Sequence, residues 1–223
     1  PCANGSPATS NTVTMTVDPN LPVSVSVAAS ANPVCAGTSV TFTATPVNGG
    51  TAPSYQWYVD SAPVGTNSPT FSYTPAAGDQ VSVVLASNAA PCATGSPATS
   101  NTVIMTVNPN LPVSVTVAPS ANPVCAGTPV TFTATPTNGG ITPAYQWHVN
   151  GTAVGTNSST YTYTPATGDQ VYVVLTSNAT CTTGNPATSN TVTMTVNPNL
   201  PVSVTVAPSA NPVCAGTSVT FTA

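Results

Sequence analysis

No lysine, arginine or glutamate occurs among the 223 residues, and four Asp and one His are the remaining charged or switchable side chains near neutrality. Without cations the chain cannot displace counterions from phosphates, which excludes nucleic-acid binding. A polybasic membrane patch is excluded for the same reason. General acid–base chemistry needs paired titratable groups, and this chain hardly supplies one pair. Long apolar runs are lacking too. None approaches the ~18–20 residues of a spanning helix, so no membrane insertion is expected here. No signal-peptide pattern opens the chain, and Pro1-Cys2-Ala3-Asn4 reads as the middle of something longer. Hydrophobic residues are nonetheless 40 % of the sequence, with 7 Tyr, 4 Phe and 2 Trp, enough to build a core. Solubility must then come from a nearly neutral surface of hydroxyls and amides.

Internal repetition organises the chain. Val23 to Pro112 aligns with Val113 to Pro201, with about three quarters of positions identical. Asn32-Pro33-Val34-Cys35-Ala36-Gly37 recurs at Asn122 to Gly127 and at Asn211 to Gly216, and Tyr55-Gln56-Trp57 recurs at Tyr145-Gln146-Trp147. The period is 90 and then 89 residues, the size of a small independent domain and too long for a solenoid unit. The expected divisions are 1–18 as the tail of a preceding repeat, 19–108 and 109–197 as full repeats, and 198–223 as the start of a following one.

Within a repeat the apolar period is two. Val23, Val25 and Val27 alternate with Ser; Val40, Phe42 and Ala44 alternate with Thr; Tyr55, Trp57 and Val59 share a face, as do Val81, Val83 and Leu85, and Val103, Met105 and Val107. No segment carries a helical period, and 25 Pro with 15 Gly interrupt any that might start. Six or seven short strands in about 90 residues predict an all-β antiparallel sandwich. The core is expected around Trp57, Trp147, Phe42 and Phe132.

The order of these motifs carries a resemblance. A Gly-x-x-Val-x-Phe second strand (Gly37 to Phe42) precedes a Tyr-Gln-Trp third strand, and a sixth strand from Val81 to Leu85 runs into Ser87-Asn88. This resembles an immunoglobulin-like domain, close to the PKD-like and Ig-like tandem repeats of very large secreted surface proteins (adhesins) of Bacteroidota. One departure is clear: Phe42 and Val83 stand where the second and sixth strands usually hold a cysteine pair. The resemblance implies tandem sandwiches in a rod, secreted to an extracellular or bacterial cell-surface location, serving as adhesin stalk or filament body. The connectors agree with a semi-rigid array, because Val17-Asp18-Pro19-Asn20-Leu21-Pro22-Val23 and its copies carry two prolines in a short segment.

Candidate chemistry is sparse. His148 is the single histidine and replaces Tyr58 of the preceding repeat, which points to an exposed ring with no ligand set. Asp79 and Asp169 sit in Gly-Asp-Gln turns. Calcium would want six to eight oxygens from several carboxylates, yet Asp18 and Asp60 become Asn in later copies, so turn capping is the better account. No Ser or Thr has a base to activate it. No enzyme activity, metal or cofactor is therefore expected. Sequons such as Asn150-Gly151-Thr152 are frequent by chance in so Asn- and Thr-rich a chain. The resemblance instead implies O-glycosylation at Ser61 in Asp60-Ser61-Ala62.

Six cysteines fall in two classes: Cys35, Cys125 and Cys214 before the second strand, and Cys2, Cys92 and Cys181 after the sixth. Their spacing suits disulfides better than zinc. Three outcomes stay open: Cys35 with Cys181 across a junction, Cys35 with Cys92 inside one repeat, or bonds between chains or free thiols. The partners expected are neighbouring repeats of the same chain and identical chains laterally, since Thr12 to Val17 has no edge guard within it. The function expected is a structural repeat of an adhesin shaft or surface filament. The rival is a carbohydrate- or surface-binding module using exposed Tyr58, Tyr172 and His148.

Overall fold

Side chains that alternate Val with Ser or Thr favour a pleated backbone with one apolar face. In the computed structural model, which describes residues 4, 5, 7–89 and 91–223, all regular structure is strand. Cys2 lies outside the described residues. The chain divides into two compact units, Pro1–Asn110 and Leu111–Ala223.

The first unit holds β1 (Leu21–Pro22), β2 (Ser24–Ala29), β3 (Val34–Cys35), β4 (Val40–Val47), β5 (Ser54–Val59), β6 (Ala62–Val64), β7 (Thr70–Tyr73), β8 (Gln80–Ala86), β9 (Ala93–Thr94), β10 (Ala98–Thr99), β11 (Val103–Ile104) and β12 (Val107–Asn108). One sheet orders β2-β4-β7 and the other β10-β8-β5-β6, with β11 also on β8. Both are antiparallel. Two short parallel pairs, β1 with β9 and β3 with β12, finish the unit. This is an immunoglobulin-like sandwich.

Val25, Val27, Val40, Phe42 and Ala44 of the first sheet meet Trp57, Val81, Val83 and Leu85 of the second in one buried cluster, with Met105 from the segment joining β11 and β12. Phe42, Trp57 and Val83 are 0 % exposed, so aromatic and aliphatic packing fills the space a disulfide occupies in the commoner version of the fold. The Trp57 indole N–H donates to the Ser68 carbonyl at 2.9 Å, and the ring lies 5.8 Å from that of Phe71. The second unit repeats this with Phe132, Trp147, Val173, Leu175 and Met194 buried, the Trp147 N–H on Ser158 O, and Tyr161 5.9 Å from the indole.

The last strand differs from the expected single alternating run. It is broken into β10, β11 and β12 because Ser100 and Asn101 use side chains where a ladder would use backbone. The Val83 N–H donates to Ser100 Oγ at 3.0 Å. Asn101 then turns its amide to the other sheet: the Val27 N–H donates to its Oδ1 at 2.8 Å, and its Nδ2 donates to the Val27 carbonyl at 3.1 Å. Asn32 makes a similar bracket on the last strand, with Nδ2 to Ile104 O at 2.8 Å and the Thr106 N–H to Oδ1 at 2.9 Å. In the second unit Asn190 and Asn122 make the same contacts with Val117 and with Thr193 and Thr195. Four hydrogen bonds per unit thus seal one side of the sandwich without a charge. On the other side the outermost strands, β6 and β7, are only three and four residues long. Short edges resist unwanted strand addition, as Lys would elsewhere.

Residues 12–17 form no strand, and Val13, Met15 and Val17 are 71, 79 and 88 % exposed, whereas Met105, the counterpart of Met15, is 1 % exposed. Val202, Val204 and Val206 are likewise exposed, although their counterparts Val113, Val115 and Val117 are core residues. The same apolar pattern becomes strand only where the rest of a sandwich receives it.

Candidate functional site

Three places gather the side chains singled out by sequence. The first is the outer face of the sheet containing β5 and β8. Cross-strand pairing sets Tyr58 opposite Ser82 in the first unit and His148 opposite Tyr172 in the second. Both residues of the second pair are half-buried. The His148 and Tyr172 rings lie parallel, 4.8 Å between centroids and 1° between planes, so each covers a face of the other. Tyr58 has no such partner, since Ser82 replaces the tyrosine. A shallow groove of about 290 Å³ in the first unit is lined by Ser54, Tyr55, Gln56, Asn67, Val84 and Ala86. Its amides already serve the fold: Asn67 Oδ1 accepts the Tyr55 N–H at 2.7 Å, and Gln56 Nε2 donates to the Trp57 and Val64 carbonyls.

The second place is the turn leading into β8. Asp79 Oδ2 accepts the Ala76 N–H at 2.8 Å and the Tyr73 hydroxyl at 3.0 Å, which is turn capping joined to a tyrosine clamp. Asp169 takes the same two partners, Ala166 and Tyr163, and Asn150 Nδ2 adds a third at 2.9 Å. Asp60 and Ser61 form the two-residue hairpin turn between β5 and β6, with φ of 50° and 68°, as a type I′ turn requires. Asp60 Oδ1 accepts the Gln80 N–H at 3.0 Å. Ser61 is exposed at the apex. Among the described residues no three His, Cys, Asp or Glu side chains gather as metal ligands. Nor is there among the described residues a helix long and apolar enough to cross a membrane.

These contacts set a pH dependence. The Ala166 N–H first, with Asn150 and Tyr163 adding to it, holds Asp169 below the usual carboxylate range. A depressed carboxyl contributes stability above its unfolded value near ~3.9, lost as pH falls through the folded one. Burial first, and then the adjacent Asp79 or Asp169, pushes the Tyr73 and Tyr163 hydroxyls up. A raised phenol contributes stability below its unfolded value near ~10, lost as pH climbs through the folded one. With no Lys, Arg or Glu to titrate, urea midpoints should be nearly flat from about pH 5 to 8 and fall at both extremes. Asp169→Asn should flatten the acid limb of the second unit; an unchanged limb would remove Asp169 from the account.

The third place is the cysteines. Cys35 and Cys181 are each disulfide-bonded, whereas Cys92, Cys125 and Cys214 are free thiols, the first half-buried and the other two exposed. Cys35 ends β3 and pairs with Asn108 of β12, beside the exit of the first unit. Cys92 lies at the opposite end, where its carbonyl accepts the Leu21 N–H at 2.8 Å. The intrarepeat pairing of Cys35 with Cys92 is thereby corrected: the length of β2 separates them and Cys92 is a free thiol. In the second unit the Cys181 carbonyl accepts the Leu111 N–H at 2.8 Å.

Sequence reasoning missed the Asn brackets. Their signal was present: Asn32 and Asn101 recur in every copy, and Ser100-Asn101 interrupts an otherwise alternating strand.

No protein-family model matches the chain. It is 34 % identical over 220 residues to the highly immunogenic outer capsid protein of Enterobacteria phage T4, a match covering 92 % of this chain and 56 % of that protein. The chain thus spans little more than half the length of this relative. Similar solved structures include the ectodomain of mouse nectin-like molecule 4, Ig1 to Ig3, at 15 % identity and a TM-score of 0.33, covering 81 % of this chain and 66 % of that one. The N-terminal four Ig domains of Dscam1 isoform 8.4 match at 15 % identity and a TM-score of 0.35, covering 83 % of this chain and 46 % of that one.

Proposed function

We propose that the chain is a structural repeat segment of an extracellular shaft, an adhesin stalk or surface filament of the kind its resemblance to Bacteroidota surface proteins implies, with no chemistry of its own. The observation that carries this reading is the contrast between inside and outside. The two units share their buried residues and Asn brackets position for position, while the outward pair changes from Tyr58 and Ser82 to His148 and Tyr172. A shaft needs each unit to keep its core and add length, and it tolerates drift on its faces. A binding site working by avidity would repeat its contact residues instead. The outer capsid relative supports display on the outside of a particle or cell. Lack of Lys and Arg removes every trypsin site, which suits that exposure.

The second reading, a carbohydrate- or surface-binding module, is favoured by one observation, the stacked His148–Tyr172 pair. A glycan array probed with the 223-residue protein separates the two. Silence is expected, and saturable binding abolished by Tyr172→Ser would replace the shaft with the module.

Two features belong to the shaft reading. Ser61, at the apex of its turn, is the proposed O-glycan site in native material. An endoprotease cleaving before Asp releases residues 60–78, and this peptide should carry added hexose-type mass; its bare mass would withdraw the assignment. Lateral association of identical chains is the proposed mode of assembly beyond neighbouring repeats. Light scattering should show mass rising with concentration, and a constant monomer mass would rule it out.

A further inference from the structure

We propose that the peptide bond between Asp18 and Pro19 is a self-scission site, cut in acid by the Asp18 carboxyl while the Cys92 thiol holds the carbonyl oxygen under attack. The connector motif occurs three times with different leading pairs: Asp18-Pro19, Asn108-Pro109 and Asn197-Pro198. An aspartyl carboxyl can close a five-membered ring onto its own main-chain carbonyl carbon, whereas an asparagine amide is a poor nucleophile there. Proline carries no N–H and departs from such a bond as a secondary amine. Asp18 is the one Asp followed by Pro; Ser61, Gln80 and Gln170 follow the others. Its partners differ too. A backbone N–H holds each of the other carboxylates, that of Gln80 on Asp60, of Ala76 on Asp79 and of Ala166 on Asp169. Among the described residues no hydrogen bond engages the Asp18 carboxylate, and the residue is exposed.

The first unit anchors one side of this bond and leaves the other loose. Downstream, the Leu21 N–H donates to the Cys92 carbonyl and the Val23 N–H to the Thr94 carbonyl, both at 2.8 Å, as β1 pairs with β9. Upstream, residues 12–17 form no strand. Cys92 thus sits beside the connector, and its Sγ donates to the Asp18 carbonyl oxygen at 3.8 Å. That oxygen gains negative charge as its carbon becomes tetrahedral, and a donor already in place stabilises it. Among the described residues Cys92 is the one titratable side chain in contact with Asp18. In the first step an Asp18 carboxyl oxygen bonds to the main-chain carbonyl carbon and the carboxyl proton passes to the Pro19 nitrogen. The C–N bond breaks with its electron pair staying on nitrogen, leaving a cyclic anhydride on Asp18 and a secondary amine on Pro19. Water then opens the anhydride, so Asp18 ends the upstream fragment with two carboxyl groups. Ring closure within one residue supplies the proximity that attack from solution lacks. The bond is spent once and no substrate turns over, so the site is a breaking point in the chain, independent of the shaft reading.

The full chain is held in acetic acid buffer and in neutral buffer, and its intact mass is followed with time. The expected acid products are 1–18 and 19–223, with masses that sum to the parent plus one water. Asp18→Asn, the residue of the other two connectors, should slow the cut at least about a hundredfold. Cys92→Ala should slow it about three- to tenfold, and Cys92→Ser should recover most of that loss through its hydroxyl. Urea, which takes Cys92 away from the connector, should bring the parent to the Cys92→Ala rate. Absence of a cut, a rate no faster in acid, or first cuts after Asp60, Asp79 or Asp169 would overturn the proposal. So would an unslowed Asp18→Asn or Cys92→Ala, or a parent cut as fast in urea as without it.

Discussion

Replacing Trp57 by Ala is expected to remove about 3–5 kcal/mol from the stability of the first unit. The indole is 0 % exposed, packs on Phe71 and supplies the N–H that satisfies the Ser68 carbonyl. Truncation therefore opens a cavity and strands an acceptor together. Many Ig-like domains have a disulfide behind this tryptophan to hold the sheets when packing fails; here Phe42 and Val83 stand there instead. Small domains have only about 5–15 kcal/mol in total, so the loss should bring the first unit close to unfolding at room temperature. Calorimetry should show its transition move far down while that of the second unit, built on Trp147, stays in place. Trp57→Phe keeps a ring and loses the hydrogen bond, so it should fall between the two. A Trp57→Ala protein with both transitions unmoved would mean that the aromatic cluster is not what joins the sheets.

Asn101→Ala should have the next largest effect, about 1–3 kcal/mol, although it deletes no apolar contact. Val27 is buried, and both its N–H and its carbonyl are served by the Asn101 amide. Removal leaves a donor and an acceptor unpaired at the edge of β2. Asn101→Asp keeps the acceptor for the Val27 N–H, loses the donor to the carbonyl, and should recover part of the loss above the carboxylate pKa. The denaturant midpoint of the first unit, read with the slope held constant, measures both variants. Equal midpoints for parent and Asn101→Ala would demote the bracket to a surface contact.

The main strands were legible because the sandwich depends on a period of two, and Val, Thr and the aromatics declare that period in any register. Phe42 and Trp57 follow from the same pattern, as their neighbours leave them no other face. The broken last strand was not legible. At Ser100-Asn101 a side-chain amide takes over from backbone, and periodicity carries no signal for a side chain that imitates a peptide group. The turn roles of Asp79 and Asp169 were readable from Gly-Asp-Gln, whereas the Tyr73 and Tyr163 hydroxyls that meet them join residues from different strands. The stacking of His148 on Tyr172 depends on strand register, which one sequence leaves open until the strands are paired.

The seals made by side-chain amides bear on how the protein ages. An asparagine decays when the backbone nitrogen of the following residue attacks its side-chain carbonyl and expels ammonia. The aspartate or isoaspartate that results can accept a hydrogen bond but not donate one. Asn32 and Asn122 are followed by Pro, which has no N–H to deprotonate for the attack, and Asn101 and Asn190 by Thr, whose branched side chain crowds the approach. The four holding amides thus sit in sequence contexts where this reaction is slow. Asn4, Asn48, Asn138 and Asn150 precede Gly, the fast context, and of these Asn150 uses both amide atoms, with Nδ2 on Asp169 and Oδ1 accepting the Gln170 N–H. Edges closed by amides in place of ions keep their grip in salt, and the placement of Pro and Thr extends that grip over time.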